Sequence, residues 1–168
     1  TLPDENDDVE IVWGPYQMVQ STGARPYAKY YSNGKDKLYM TYTTGHPDNE
    51  WPCWLYFNVI NLHPTQGADG TVTVAPVLED IKGNHLSTIA DGKFRVNKSV
   101  EYQQQYPYTL VDAPVGYRDW VWQIACDEAG LPAIAMVRID RTKQHHQHYY
   151  AKWTGDAWRL TALAYGGG

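Results

Sequence analysis

The chain has 168 residues, 43% hydrophobic and 20% charged, a balance that excludes a disordered segment and suffices for one domain with a buried core. The net charge of −5 gives no electrostatic reason to expect nucleic acid as a partner, and no run nears the ~20 apolar residues of a membrane helix. Seven Trp and fourteen Tyr against two Phe favour strands and surfaces that face sugars, while two cysteines, Cys53 and Cys126, are too few for a disulfide framework.

The acidic opening, residues 1–8, reads as a frayed end or surface loop. Residues 10–13 and 15–19 are rich in strand formers but are interrupted by Gly14-Pro15, which predicts a bent flanking strand. Two β-runs, 25–31 and 38–43, surround Asn33-Gly34, the strongest short-range signal for a hairpin. A polar loop over 45–50 separates them from a third strand over 54–60, and a fourth is expected over 71–74. Residues 80–112 mix polar and aromatic stretches and read as a long connection carrying short strands, with no convincing helix.

A second module starts at Asp119. Strands are expected over 120–126, 132–137, 148–153 and 157–163, separated by turns at 127–130 and 154–156 and by a polar loop over 140–147. The two modules share one grammar: strand, Gly turn, strand, polar loop with His, aromatic strand, Gly turn, strand. This predicts an all-β chain of about two antiparallel four-stranded blades plus a flanking strand of a β-propeller. A β-sandwich is the alternative that fits the strand count. The expected boundaries are 9–78 for the flanking strand and first blade, 79–117 for the connection and 118–165 for the second blade.

The run Arg25-Pro26-Tyr27-Ala28-Lys29-Tyr30, then Thr43-Thr44-Gly45-His46-Pro47, resembles the BNR-repeat (bacterial neuraminidase repeat) propellers of carbohydrate-active bacterial proteins. The strand 118–125 resembles the family's Trp-Val-Trp-Asp strand, with Gln123 at the usual Asp, and 148–158 resembles its His-Tyr-Tyr-Ala-Arg-Trp run. The family includes ulvan lyases and related rhamnose–glucuronate-cleaving enzymes. The resemblance implies a seven-bladed parent several-fold longer than this chain, its remaining blades as partners, an acidic polysaccharide substrate and secretion or a periplasmic location. It implies β-elimination with the principal catalytic residues outside this chain. A glycoside hydrolase of rhamnosidase or sialidase type and a non-catalytic sugar-binding propeller stand as alternatives, because fold alone does not separate them.

In such a blade the loop between the second and third strands opens on the face where the first strand starts. That geometry puts Arg25, His46, Cys53, Arg118, His145, His146 and His148 on one face and Cys126 on the other. Arg25, His46, Arg118, His146 and His148 are the expected substrate-binding residues; Arg25 serves equally well as a tie between blades. His146 and His148, two apart on a strand, point to one side, whereas His145 reads as a solvated loop residue. His46 and Cys53, with six residues between them, could chelate a structural zinc, as the resemblance also suggests; the alternative is a loop histidine and a buried thiol. An isolated segment of this kind leaves strand edges open and is expected to be marginal or to self-associate.

Overall fold

Period-two alternation at the centre of the first module sets the architecture of the first sheet. The computed structural model describes residues 16–66, 68–70, 72–74 and 76–167, so the strand expected over 10–13 lies outside the described residues. Strands β1 (Val19–Ser21), β2 (Ala28–Ser32), β3 (Lys37–Thr43) and β4 (Leu55–Asn61) open the chain. The Asn33-Gly34 turn forms as expected: Asn33 Oδ1 accepts the backbone N–H groups of Lys35, Asp36 and Lys37 at 2.9, 3.1 and 3.0 Å, and Gly34 takes φ 70°. This fixes Ser32 opposite Leu38 and Ala28 opposite Tyr42, and β4 pairs antiparallel on the far side of β3.

Beyond β4 the pairing departs from the sequence reading. The strand expected over 71–74 forms, but as β6 (Val72–Val74) it pairs with β5 (Pro64–Gln66) in a separate hairpin. The free edge of β4 is filled from both ends instead, by β7 (Val77–Glu79) along 59–61 and by β10 (Leu110–Asp112) along 55–56. Strand β8 (His85–Thr88) extends the sheet past β7, and β9 (Phe94–Val96) pairs parallel with β1. The first sheet therefore has six strands where four were expected. One helix, α1 (Val100–Gln105), also corrects the reading. Its six residues are too few to carry a 3.6-residue pattern, and its signature is the cap, Ser99 Oγ accepting the Tyr102 N–H at 3.0 Å.

The second module follows the expected order: β11 (Tyr117–Cys126), β12 (Pro132–Asp140), β13 (His146–Trp153) and β14 (Trp158–Tyr165) form one antiparallel meander. Alternate residues of the first sheet feed two cores. Leu55, Phe57 and Val59 pack between the sheets against Val121, Ile124, Ile134 and Met136. Met40, Tyr42 and Tyr56 face the other way, toward Phe94, Val96 and Tyr102. Phe57, fully buried and edge-on to Trp158 at 5.4 Å, contributes about 1.5–3 kcal/mol by burial. Two surfaces stay open among the described residues: an apolar groove of about 490 Å³ lined by Met18, Tyr30, Leu38, Met40 and Ile60, and the second sheet's exposed Trp122, Tyr150 and Leu163.

Candidate functional site

The loop over 44–54, which joins β3 to β4, and the loop over 141–145, which joins β12 to β13, meet on one rim. The first is closed at its base by Thr44, whose N–H donates to the Trp54 carbonyl at 2.9 Å and whose Oγ1 accepts the Trp54 N–H at 3.0 Å. Gly23 lies under it so closely that a Cβ there would sit 2.5 Å from the Thr44 oxygen. The turn at 46–50 is held by the Asn49 and Glu50 N–H groups donating to the His46 carbonyl, and the His46 N–H donates to Ala24. The Trp51–Pro52 peptide is cis.

A seam ties this loop to the second sheet. The Cys53 N–H donates to the Tyr117 carbonyl at 3.3 Å and the Asp119 N–H to the Cys53 carbonyl at 2.9 Å, a parallel bridge between Cys53 and Arg118. Arg118 is 9% exposed; its Nη1 donates to the carbonyls of Pro47 at 3.1 Å and Asp48 at 3.2 Å, and its guanidinium lies 5.0 Å from the Trp51 ring centre. Lys143 reaches Asp48 at 3.3 Å, and Arg141 lies over Trp51 at 5.9 Å.

His46 is half-enclosed on this rim. Its Nδ1 accepts the Asp48 N–H at 3.1 Å, so the neutral ring carries its proton on Nε2, 3.4 Å from the Tyr27 hydroxyl. Tyr27 and Trp120 complete an aromatic cluster, their rings 5.4 Å apart and the imidazole 5.0 and 6.0 Å from each. The register of the second sheet places Arg118, Ile139 and His146 in one cross-strand row and Trp120, Val137 and His148 in the next but one. His148 is backed by Gly166, where a Cβ would fall 2.6 Å from its Nε2. His145 Nδ1 lies 3.2 Å from the Tyr165 hydroxyl. Arg25, at φ 51°, is exposed and makes no hydrogen bond or ion pair with the described residues.

The seam thus brings His46, Cys53 and Arg118 together, sets His146 along the same row, holds His148 under the C-terminal glycines and leaves Arg25 at the approach to β2. Tyr27, Trp51, Arg141 and Lys143 join the rim without having been singled out, and so does Trp120, one of four strand tryptophans (Trp120, Trp122, Trp153 and Trp158) that the sequence reads mostly as core. Trp51, directly before Pro-Cys, and the two cations of a loop read only as polar were the available signals.

His46 and Cys53 do not fit a zinc ion. Cys53 is fully buried with Sγ donating to the Gly45 carbonyl at 3.4 Å, and burial pushes its thiol up to about 11. Both His46 nitrogens have partners, the Asp48 N–H in the loop and the Tyr27 hydroxyl ahead of β2, and no group of three or more His, Cys, Asp or Glu converges among the described residues. Cys126 ends β11 opposite Pro132, on the far end of the sheet, and its thiol is likewise raised to about 11 by burial.

Beneath the rim, Arg138 pairs with Asp112 and, through Nε at 3.3 Å, with Asp119, and stacks on Tyr149 at 4.9 Å. Two carboxylates share one guanidinium in a dry seam. Burial pushes the fully enclosed Asp119 carboxyl well above the usual range and lowers Arg138 from its own.

Comparison with known proteins bears on this geometry. The profile described as BNR repeat-containing family member matches residues 1–165. Two solved structures share the fold, an ulvan lyase of a new family of polysaccharide lyase, PL25, and the same kind of ulvan lyase bound to -[GlcA(1-4)Rha3S]-. They are 15% and 16% identical, with TM-scores of 0.53 and 0.54. In each case 80% of this chain is covered but only 29% of the other, so the chain spans less than a third of their length. No curated protein sequence matches the chain. The two sheets are thus blades of a β-propeller, the second a regular four-stranded blade and the first an enlarged one.

Proposed function

Because the chain belongs to the BNR repeat-containing family, we propose that it is part of a carbohydrate-active propeller that cleaves a uronate-containing polysaccharide of the ulvan type by β-elimination. In this reading the chain supplies part of the saccharide-facing rim, and the remaining blades complete the propeller. Such an elimination must neutralise a carboxylate, take the proton at C5 and protonate the leaving oxygen. Guanidinium groups suit the first task, and a histidine in contact with a phenol suits proton traffic. The chain offers Arg141 over Trp51 and the exposed Arg25, neither paired with a described carboxylate, and the His46–Tyr27 pair. The principal acid and base belong to blades outside this chain, which matches less than a third of the lyase chains. In the same reading the parent protein meets such a polymer outside the cytoplasm, as a secreted or periplasmic protein.

The observation that carries the reading is the family match together with the fold shared with the ulvan lyases; the state of the rim's carboxylates in this chain accords with it. A glycoside hydrolase needs two that face one bond. Here Asp48 pairs with Lys143, Glu50 with Lys98, and Asp119 is buried against Arg138. Asp140 accepts from the Thr142 hydroxyl and from the N–H groups of Gln144 and His145. None of these four is left to act on a sugar. The test is to incubate the protein at its full natural length with ulvan and follow ultraviolet absorbance. Unsaturated uronate ends support the lyase; new reducing ends without absorbance indicate the hydrolase; neither product, with binding retained, indicates a sugar-binding propeller.

A further inference from the structure

We infer that Arg141, positioned by Trp51, forms a subsite for an oxyanion substituent of the saccharide, a carboxylate or a sulfate ester. The inference rests on the rim being the saccharide-facing end and adds the group that it reads. Arg141 is exposed in the loop after β12 and makes no hydrogen bond or ion pair with any described residue. The acidic groups on neighbouring positions are already engaged: Asp48 holds Lys143 at 3.3 Å, and Asp140 holds its own loop. The contact that orients Arg141 is the Trp51 ring, 5.9 Å from the guanidinium carbon.

That ring is itself fixed. Arg118 lies 5.0 Å from its centre, and Arg118 is immobilised by the Pro47 and Asp48 carbonyls in the interior of the seam. Support therefore runs from the buried guanidinium to the indole and from the indole to the exposed guanidinium. A guanidinium presents a planar fork of N–H donors, which can grip a planar or trigonal oxyanion by two parallel hydrogen bonds. A lysine in the same place would present a point charge without that fork. In a chain of net charge −5, an oriented cation without a counter-ion is a place where a ligand's charge is met with little competition from the protein's own carboxylates.

The test uses the protein at its full natural length with Arg side chains labelled for NMR and two small probes, sodium glucuronate and methyl sulfate, against a sodium chloride control. The Arg141 Nε–H signal should shift with one or both probes and not with chloride; glucuronate alone identifies the carboxylate, methyl sulfate alone the sulfate ester. Isothermal titration with native, carboxyl-reduced and desulfated ulvan oligosaccharides should show Arg141→Gln weakening the native ligand about tenfold, the loss of one bidentate contact. Arg141→Lys should recover only part of it. If Arg141 does not respond beyond chloride and R141Q binds all three oligosaccharides like the unaltered protein, the subsite is refuted, whatever the lyase assay gives. If the probes shift Arg141 while no unsaturated uronate forms, the subsite stands and the lyase reading falls.

Discussion

Arg118→Met removes the clamp between the blades while keeping an apolar stem of similar length. Two hydrogen bonds from a charged donor are lost, each about 1.5–3 kcal/mol, together with a stack on Trp51 of about 0.5–1 kcal/mol. Against this, the substitution spares the burial of a guanidinium that is 9% exposed and whose Nε has no partner, a saving of about 1–3 kcal/mol. The Asp48 carbonyl, on an exposed residue, regains water. Mid-range values leave about 3 kcal/mol, of which the water at the Asp48 carbonyl returns up to about 1, so a net loss of about 2–3 kcal/mol falls on the loop over 44–54. Native-state hydrogen exchange on the full-length protein reads it directly. The Cys53 and Asp119 amides, which bond across the seam, should exchange about 30- to 150-fold faster. Protection unchanged within about threefold, with saccharide binding lost, would refute the clamp and make Arg118 a ligand contact instead.

Three further outcomes follow from the same coordinates. Tyr42→Phe strips the hydroxyl that donates to Asn58 Oδ1 at 2.7 Å inside the second core, and the orphaned oxygen should lower stability by about 1–3 kcal/mol in urea unfolding; a neutral substitution would show that water reaches Asn58. The Cys53 thiol is raised in the folded state, so its contribution is complete below the unfolded thiol value of about 8.5 and is lost as pH rises through about 11. Unfolding midpoints should fall across that window, less steeply in Cys53→Ala, and labelling of Cys53 by a disulfide reagent at pH 8 as fast as a free peptide thiol would contradict its burial. The isolated chain should self-associate through its open groove and the exposed Trp122 and Leu163. A monodisperse monomer in analytical ultracentrifugation, with Leu163→Glu changing nothing, would refute this.

The regular part of the fold was legible because it is local. Asn33-Gly34, Gly130 and Gly155 punctuate runs of strand formers, and each hairpin they close appears with the expected partners. What escaped was pairing between distant segments. Val72-Thr73-Val74 has the composition of a strand and is one, but composition does not say that β4 will be completed by Val77–Glu79 and Leu110–Asp112 instead. The site divides in the same way. His46, Cys53 and Arg118 were placed on one face by counting strand directions, and the seam brings them together there. Their roles were not in the pattern: whether Arg118 meets sugar or a carbonyl depends on Pro47 and Asp48, some seventy positions away. Whether His46 and Cys53 make a metal pair depends on the Gly45 oxygen and the Tyr27 hydroxyl.

Topology explains why Arg118, Arg141 and Lys143 gather at one end. In an up-down-up-down meander the first strand starts and the last strand ends on the same side, so Tyr117 and Tyr165 both lie at the rim. The opposite end of the second blade is closed by two short turns, at 127–131 and 154–157, whose polar side chains are already engaged: Asp127 accepts the Leu131 N–H at 2.8 Å and pairs with Lys152, the Thr154 hydroxyl donates to Ala157 at 3.0 Å, and Asp156 pairs with Lys82. Only the middle connection is free to be long, and it returns to the rim. The same holds in the first blade, where the 33–36 turn is consumed by Asn33 and the loop over 44–54 is the free one. Each blade therefore contributes an adjustable loop between its second and third strands to the same side, and these loops touch through Asp48 and Lys143 and through Trp51 and Arg141. In the proposed reading, a saccharide on that side would meet one loop from each of these two blades.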